Sequence, residues 1–148
     1  MIHDDQTVLL AEDDPSYAHF VQRAFGKAEI SSRLIRLFDG DDVVHYLDGK
    51  APYENRANFQ LPCLLLLDLK LPKRSGLEVL RWVRSRADQL RLLPIIMLTS
   101  SRNPVDVNRA YDYGANSYIP KPNSQKELAD LFVALKLYWM RFNEFPGI

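Results

Sequence analysis

Three successive carboxylates, Glu12, Asp13 and Asp14, close one short apolar run, and a fourth, Asp68, closes another. If the two runs are neighbouring strands, their ends bring these acids together. Like charges that close cannot all stay ionised unless something positive neutralises them. A hard divalent cation held by carboxylates, a backbone carbonyl and waters meets that need, and Mg²⁺ prefers such partial ligation by protein. Lys121, between Pro120 and Pro122, offers a second positive charge from a stiff stretch of chain. Thr99 ends a further apolar run, where its hydroxyl could hydrogen-bond a phosphoryl oxygen. The chemistry within reach is phosphoryl transfer to a carboxylate: an aspartate attacks while cation, ammonium and hydroxyl stabilise charge on the transferring group. Each residue alone has an ordinary role as helix cap, turn residue, strand former or solvated loop lysine. Their conjunction at the ends of four separate runs argues for a site.

The elements that must position these residues follow from hydrophobic spacing. Apolar runs at 8–11, 34–38, 63–67, 95–98 and 118–119 are each followed by a longer amphipathic segment. That alternation predicts repeated β-α units and a parallel sheet. The runs at 63–67 and 95–98 are continuous, as strands covered on both faces must be. Arg33 and Arg36 interrupt the second run, which marks it as an edge strand. Helix starts are signalled by Asp14 before Pro15, by Asn103 before Pro104, and by the boxes Ser75-x-x-Glu78 and Ser124-x-x-Glu127. Tyr17, Val21, Ala24 and Phe25 share one face of the first helix. The second helix should end at Asp48-Gly49, and the polar stretch 50–60 reads as a long surface loop. In such a sheet ligands bind at the carboxyl ends of the strands, where connections switch sides. All the residues of the proposed chemistry lie there.

The bulk properties set bounds. A chain of 148 residues, 47% apolar and 26% charged with zero formal net charge, has the profile of a soluble globular protein forming one domain. The charge balance gives no electrostatic case for nucleic acid or a membrane surface. Residues 1–7 are polar and lack the features of a signal peptide, and no run is long enough to span a membrane. Cys63 is the only cysteine, which excludes an internal disulfide and a cysteine-rich metal site. It reads as a buried small residue in a reducing cytoplasm.

The motifs LLAEDDP at 9–15, LLLLDLKLPKRSGLEVL at 64–80, PIIMLTS at 94–100 and GANSYIPKP at 114–122 together resemble the response-regulator receiver family from residue 8 to about 135. The resemblance implies an α/β fold, a doubly wound five-stranded parallel sheet in order 2-1-3-4-5, that is, a flavodoxin-like (CheY-like) three-layer sandwich. It implies that Asp68 takes a phosphoryl group from a histidine kinase, with Mg²⁺, or Mn²⁺ in its place, as cofactor. Asp13 would ligate the metal directly, Glu12 through a metal-bound water, and Lys70 through its backbone carbonyl. Lys121 would pair with the phosphoryl oxygens, Lys121-Pro122 would be a cis peptide, and Thr99 and Tyr118 would form the switch pair that alters the surface of the fourth helix, fifth strand and fifth helix. Self-phosphorylation from small phosphodonors and self-dephosphorylation are expected, without enzyme activity in the ordinary sense. Asn123 departs from the large apolar residue that often follows the Lys-Pro pair.

The single domain is expected to span 1–148, with a core of about 7–135 and an extended C-terminal helix and tail at 136–148. An effector domain is not expected, so output would pass through protein contacts or onward phosphoryl transfer to a histidine phosphotransfer protein. In the last helix Leu128, Leu131, Phe132, Leu135, Trp139 and Phe142 can cover the sheet. Ala129, Val133, Leu137 and Met140 then fall on the opposite face. That second apolar face predicts a homodimer through the region of the fourth and fifth helices, with Val133, Leu137 and Met140 at its surface, unless the tail Phe145-Pro146 folds over it. The loop at 50–60 and the extension LYWMRFNEFP at 137–146 look similar to single-domain regulators paired with phytochrome-type histidine kinases. A flavodoxin-like cofactor binder would need a Gly/Ser/Thr-rich phosphate loop where Glu12, Asp13 and Asp14 stand. An aspartyl phosphatase would need a second aspartate where Lys70 stands.

Overall fold

Strands form at the short apolar runs, and the computed structural model, which describes residues 6–148, places five of them: β1 (Thr7–Ala11), β2 (Arg33–Leu37), β3 (Leu64–Leu67), β4 (Ile95–Thr99) and β5 (Ser117–Pro120). Residues 1–5 of the polar N-terminal segment lie outside the described residues. Helices α1 (Pro15–Lys27), α2 (Gly40–Asp48), α3 (Gly76–Arg84), α4 (Pro104–Asp112) and α5 (Gln125–Leu135) connect or follow them. A 3₁₀ turn at Gln89–Leu92 precedes β4, and a π-helical stretch, Lys136–Phe142, continues α5. All strands are parallel, in the order β2-β1-β3-β4-β5.

Alternating residues of the central strands feed two cores, which makes the three layers. Leu9, Leu65, Leu67, Ile95 and Met97 pack with α2 and α3 through Val43, Leu47, Val79 and Leu80. Val8, Leu10, Leu64, Leu66 and Ile96 face the other way, onto Val21 and Phe25 of α1 and Leu128 and Phe132 of α5. β2 lies at one edge, as its two arginines predict, and β5 at the other. Cys63 is buried, with no disulfide.

The caps form as predicted. Asp14 accepts from the Ser16 amide with Pro15 in the first turn, and Asn103 accepts from the Val105 amide. Ser75 and Glu78 make the complete box, whereas at α5 the Ser124 half forms. Gly49 ends α2 at a positive φ of 69°, a conformation that suits glycine. The 50–60 loop is on the surface but anchored: Tyr53 and Phe59 pack on Tyr46 at 5.0 and 6.0 Å between ring centroids. The Tyr53 hydroxyl also donates to Asp42 at 2.7 Å.

The C-terminal stretch corrects one expectation. Val133 and Leu137 are exposed, 55% and 47%, but Met140 is only 9% exposed and packs in the core beneath α1 and α5. Phe142, expected to cover the sheet, is instead 67% exposed. The cause is the π-helical geometry: the Asn143 amide donates to the Tyr138 carbonyl five residues back, so the turn is wider than an α-turn and rotates every side chain beyond Lys136. Phe145 packs against the same core as Met140 and leaves Val133 and Leu137 uncovered.

Candidate functional site

Sheet register brings the acids together. Ala11 of β1 lies beside Leu67 of β3, so the next residues, Glu12 and Asp68, leave the sheet side by side. The Asp68 amide donates to the Ala11 carbonyl at 3.2 Å, which ties the two strand ends. Thr99 ends β4 opposite Pro120 of β5, and the Lys121 amide donates to the Thr99 carbonyl at 2.7 Å. Four strand ends thus deliver Glu12, Asp68, Thr99 and Lys121 to one crevice.

Within it, the Lys121 ammonium bridges Glu12 at 2.6 Å and Asp68 at 2.9 Å. Glu12, Asp68 and Thr99 are buried, whereas Asp13 and Lys70 are exposed at the rim. One carboxylate oxygen each from Glu12, Asp13 and Asp68 lie within 4.8 Å of one another, the donor chemistry a hard divalent cation requires. Burial pushes the Glu12 carboxyl above its usual range and the nearby Asp68 charge adds to this, while the Lys121 hydrogen bond opposes it. For Lys121, burial works against the charge. The bonds to Glu12 and Asp68 outweigh it, and the ammonium is held above its usual value. The Lys121 ammonium thus provides the positive charge between the two buried carboxylates.

The predicted switch residues are connected. The Ser101 amide donates to the Thr99 hydroxyl at 3.4 Å, and the Tyr118 hydroxyl donates to the Ser101 carbonyl at 2.8 Å. The Tyr118 ring packs on the core beside α3 and α4, and burial raises its phenol above the usual value. One expectation at Pro122 is corrected: the cis bond among the described residues is Ala51-Pro52, and Lys121-Pro122 is not cis. An X-Pro bond favours trans unless its surroundings force the alternative. With this bond trans, the Lys121 ammonium reaches both acids.

Two residues of the site were not read as such from the sequence. The Tyr17 ring, assigned to a sheet-covering stripe, lies 4.5 Å from the Lys121 ammonium. Its hydroxyl oxygen is buried with no hydrogen-bond partner among the described residues. Burial, then the Glu12 and Asp68 charges, raise that phenol's pKa far above its usual value. Arg36, read only as an edge-strand marker, donates through Nε to the Glu12 carbonyl at 3.0 Å and through Nη2 to the Asp13 carbonyl at 3.2 Å. Tyr17, four residues beyond Asp13 in the first turn of α1, could have been found from the sequence; for Arg36 the signal was its odd place in an apolar run.

The profile of the response regulator receiver domain matches residues 8–132. The chain belongs to the response regulator receiver family. This receiver is 33% identical over 142 residues to response regulator Rcp1 of Synechocystis sp., covering 96% of this chain and 94% of Rcp1. It is 36% identical over 140 residues to FilR2 of Methanothrix harundinacea, a probable methanogenesis regulatory protein, covering 95% and 87% of the two chains. The receiver superposes on the Mn²⁺-bound form of Rcp1 with a TM-score of 0.85 at 32% identity, covering 96% and 99%. On the phosphorylated cyanobacterial phytochrome response regulator RcpA it scores 0.88 at 28% identity, covering 97% and 99%. This is a signalling protein of two-component type that closely resembles phytochrome response regulators. Among the described residues no helix is long and apolar enough to cross a membrane.

Proposed function

We propose that this receiver accepts a phosphoryl group on Asp68 from a phosphohistidine of a sensor histidine kinase of phytochrome type, and signals through the α4-β5-α5 surface. The observation that carries the reading is the Lys121 ammonium, seated between Glu12 and Asp68 where four strand ends meet. An Asp68 carboxylate oxygen attacks phosphorus, the bond from phosphorus to the imidazole nitrogen breaks, and the departing imidazole takes a proton from solvent. Lys121 then follows the negative charge onto the phosphoryl oxygens, and the Thr99 hydroxyl donates to one of them. Glu12, Asp13, Asp68 and the backbone carbonyl of Lys70 would hold Mg²⁺ or Mn²⁺, which when bound would neutralise charge on the phosphoryl group. The Mn²⁺ in Rcp1 supports that part, and the phosphorylated, phytochrome-linked RcpA supports the acceptor chemistry and the class of kinase.

The path from Thr99 through Ser101 to Tyr118 suits the signalling step, because withdrawing the Thr99 hydroxyl toward a phosphoryl group disturbs the loop that holds the Tyr118 ring. Val133 and Leu137 form the apolar centre of a homodimer surface on α5 and its extension. A reducing cytoplasm suits the buried thiol of Cys63. The reading is tested with Mg²⁺ and acetyl phosphate, monitored by intact mass. Wild type should gain one base-labile acyl phosphate and Asp68→Asn none. Equal labelling of the mutant would remove Asp68 as acceptor.

A further inference from the structure

The turn that carries Glu12 and Asp13 is gripped by the neighbouring edge strand. The Glu12 amide donates to the Leu37 carbonyl at 3.1 Å, continuing the β1-β2 ladder one residue past the strand. Beyond that point the ladder stops, and the Arg36 guanidinium takes over with its bonds to the Glu12 and Asp13 carbonyls. The Phe38 ring lies 4.1 Å from the same guanidinium and restricts its motion. Two consecutive carbonyls held by one planar group fix the backbone rotation at both residues, and with it the direction in which the Asp13 side chain leaves the chain. Asp13 is exposed, so packing does little to fix that direction.

We propose that Arg36 is a positioning residue for the divalent-cation site, holding the acidic turn so that the Asp13 carboxylate stays beside Glu12 and Asp68. The proposal rests on the reading of these three acids as the cation site. Its sign sets it apart from a plain charge effect. A guanidinium next to a cation site repels the incoming ion, so on electrostatics alone its removal should tighten binding. Removal of a positioning group should weaken binding, and groups that orient metal ligands are worth about 10–100-fold in affinity.

The experiment is a titration of the intact protein with Mn²⁺ alone, reading the free ion by electron paramagnetic resonance, with no phosphodonor present. Arg36→Met keeps an unbranched apolar stem and should bind Mn²⁺ about tenfold more weakly than wild type. Arg36→Lys keeps the charge and the strand but cannot fork across two carbonyls, and it too should weaken binding. Unchanged or tighter binding in Arg36→Met, or wild-type affinity in Arg36→Lys, overturns the proposal. If Arg36→Met fails to fold by circular dichroism, Arg36→Lys decides. If wild type and Asp13→Asn bind Mn²⁺ equally poorly, the cation-site reading itself is at fault, an outcome distinct from a failure at Arg36.

Discussion

Lys121 carries opposite obligations with one ammonium. With its side chain 14% exposed, it must be charged to offset Glu12 and Asp68, yet it occupies the oxygens that a cation or phosphoryl group would use. Lys121→Ala should therefore destabilise the metal-free protein by about 3 kcal/mol, the scale for breaking a buried pair and leaving charge behind. Added Mg²⁺ should recover more stability in the mutant than in wild type, because it binds only the folded state and no longer competes with the lysine. Urea unfolding with and without Mg²⁺ measures both effects, and equal Mg²⁺ stabilisation of the two proteins would refute the competition. Cys63 gives a residue-scale prediction in pH. Burial pushes its thiol up to about 12, so the folded state holds a proton that the unfolded chain releases near pH 8.5. Stability owed to this group is constant below that pH and falls as pH rises beyond it. Native protein at pH 8 should resist iodoacetamide that labels it at once in urea; rapid native labelling would contradict the burial.

At the level of elements, α3 sits hard against the loop that bears Asp68. The Gly76 amide donates to the Leu69 carbonyl at 2.8 Å, and a Cβ at Gly76 would collide with the backbone carbonyl of Asp68. In an open helix a Gly→Ala change stabilises by about 0.5–1 kcal/mol. Here Gly76→Ala should instead destabilise by about 2 kcal/mol, as overpacking does, and should slow phosphorylation by displacing Asp68. A stabilised variant with wild-type labelling would show that the loop yields freely. The strands, caps and site residues of this region were legible because their signals are local: uninterrupted apolar runs, Ser75 three residues before Glu78, and acids at the strand ends. What escaped the sequence depends on neighbours distant in the chain. Arg36 meets the Glu12 and Asp13 carbonyls only once β2 lies beside β1, and Tyr17, although its place just after the acidic turn was visible, meets Lys121 only once α1 lies beside the end of β5. Met140 and Phe142 were assigned to faces by α-helical spacing, and the π-helical stretch changed that spacing. The aromatic anchor of the 50–60 loop was missed because its residues are polar on average, although Tyr53 and Phe59 pack on Tyr46 and the Arg56 guanidinium lies over the same ring.

On the scale of the whole molecule, the rotated C-terminal stretch divides the apolar residues that were first assigned together to a homodimer surface. Leu137 and Val133 are open to solvent, with Tyr138 and Phe142 exposed further along, whereas Met140 packs in the core. Surface and core positions have different signatures on substitution. Leu137→Glu places a charge at the centre of the proposed contact and should weaken self-association about tenfold or more, while leaving the thermal midpoint at low protein concentration near wild type. Met140→Ala should do the reverse. It removes packing beneath α1 and α5 and should cost about 2–5 kcal/mol of stability without altering the association of the fraction that remains folded. Sedimentation velocity at micromolar concentration, with and without acetyl phosphate, separates the two, and comparing the phosphorylated and unphosphorylated samples shows whether the Thr99-Ser101-Tyr118 path reaches this face. A monomer mass for wild type under both conditions would count against the dimer. A Met140→Ala protein that is stable but monomeric would return Met140 to the surface on which its sequence spacing first placed it.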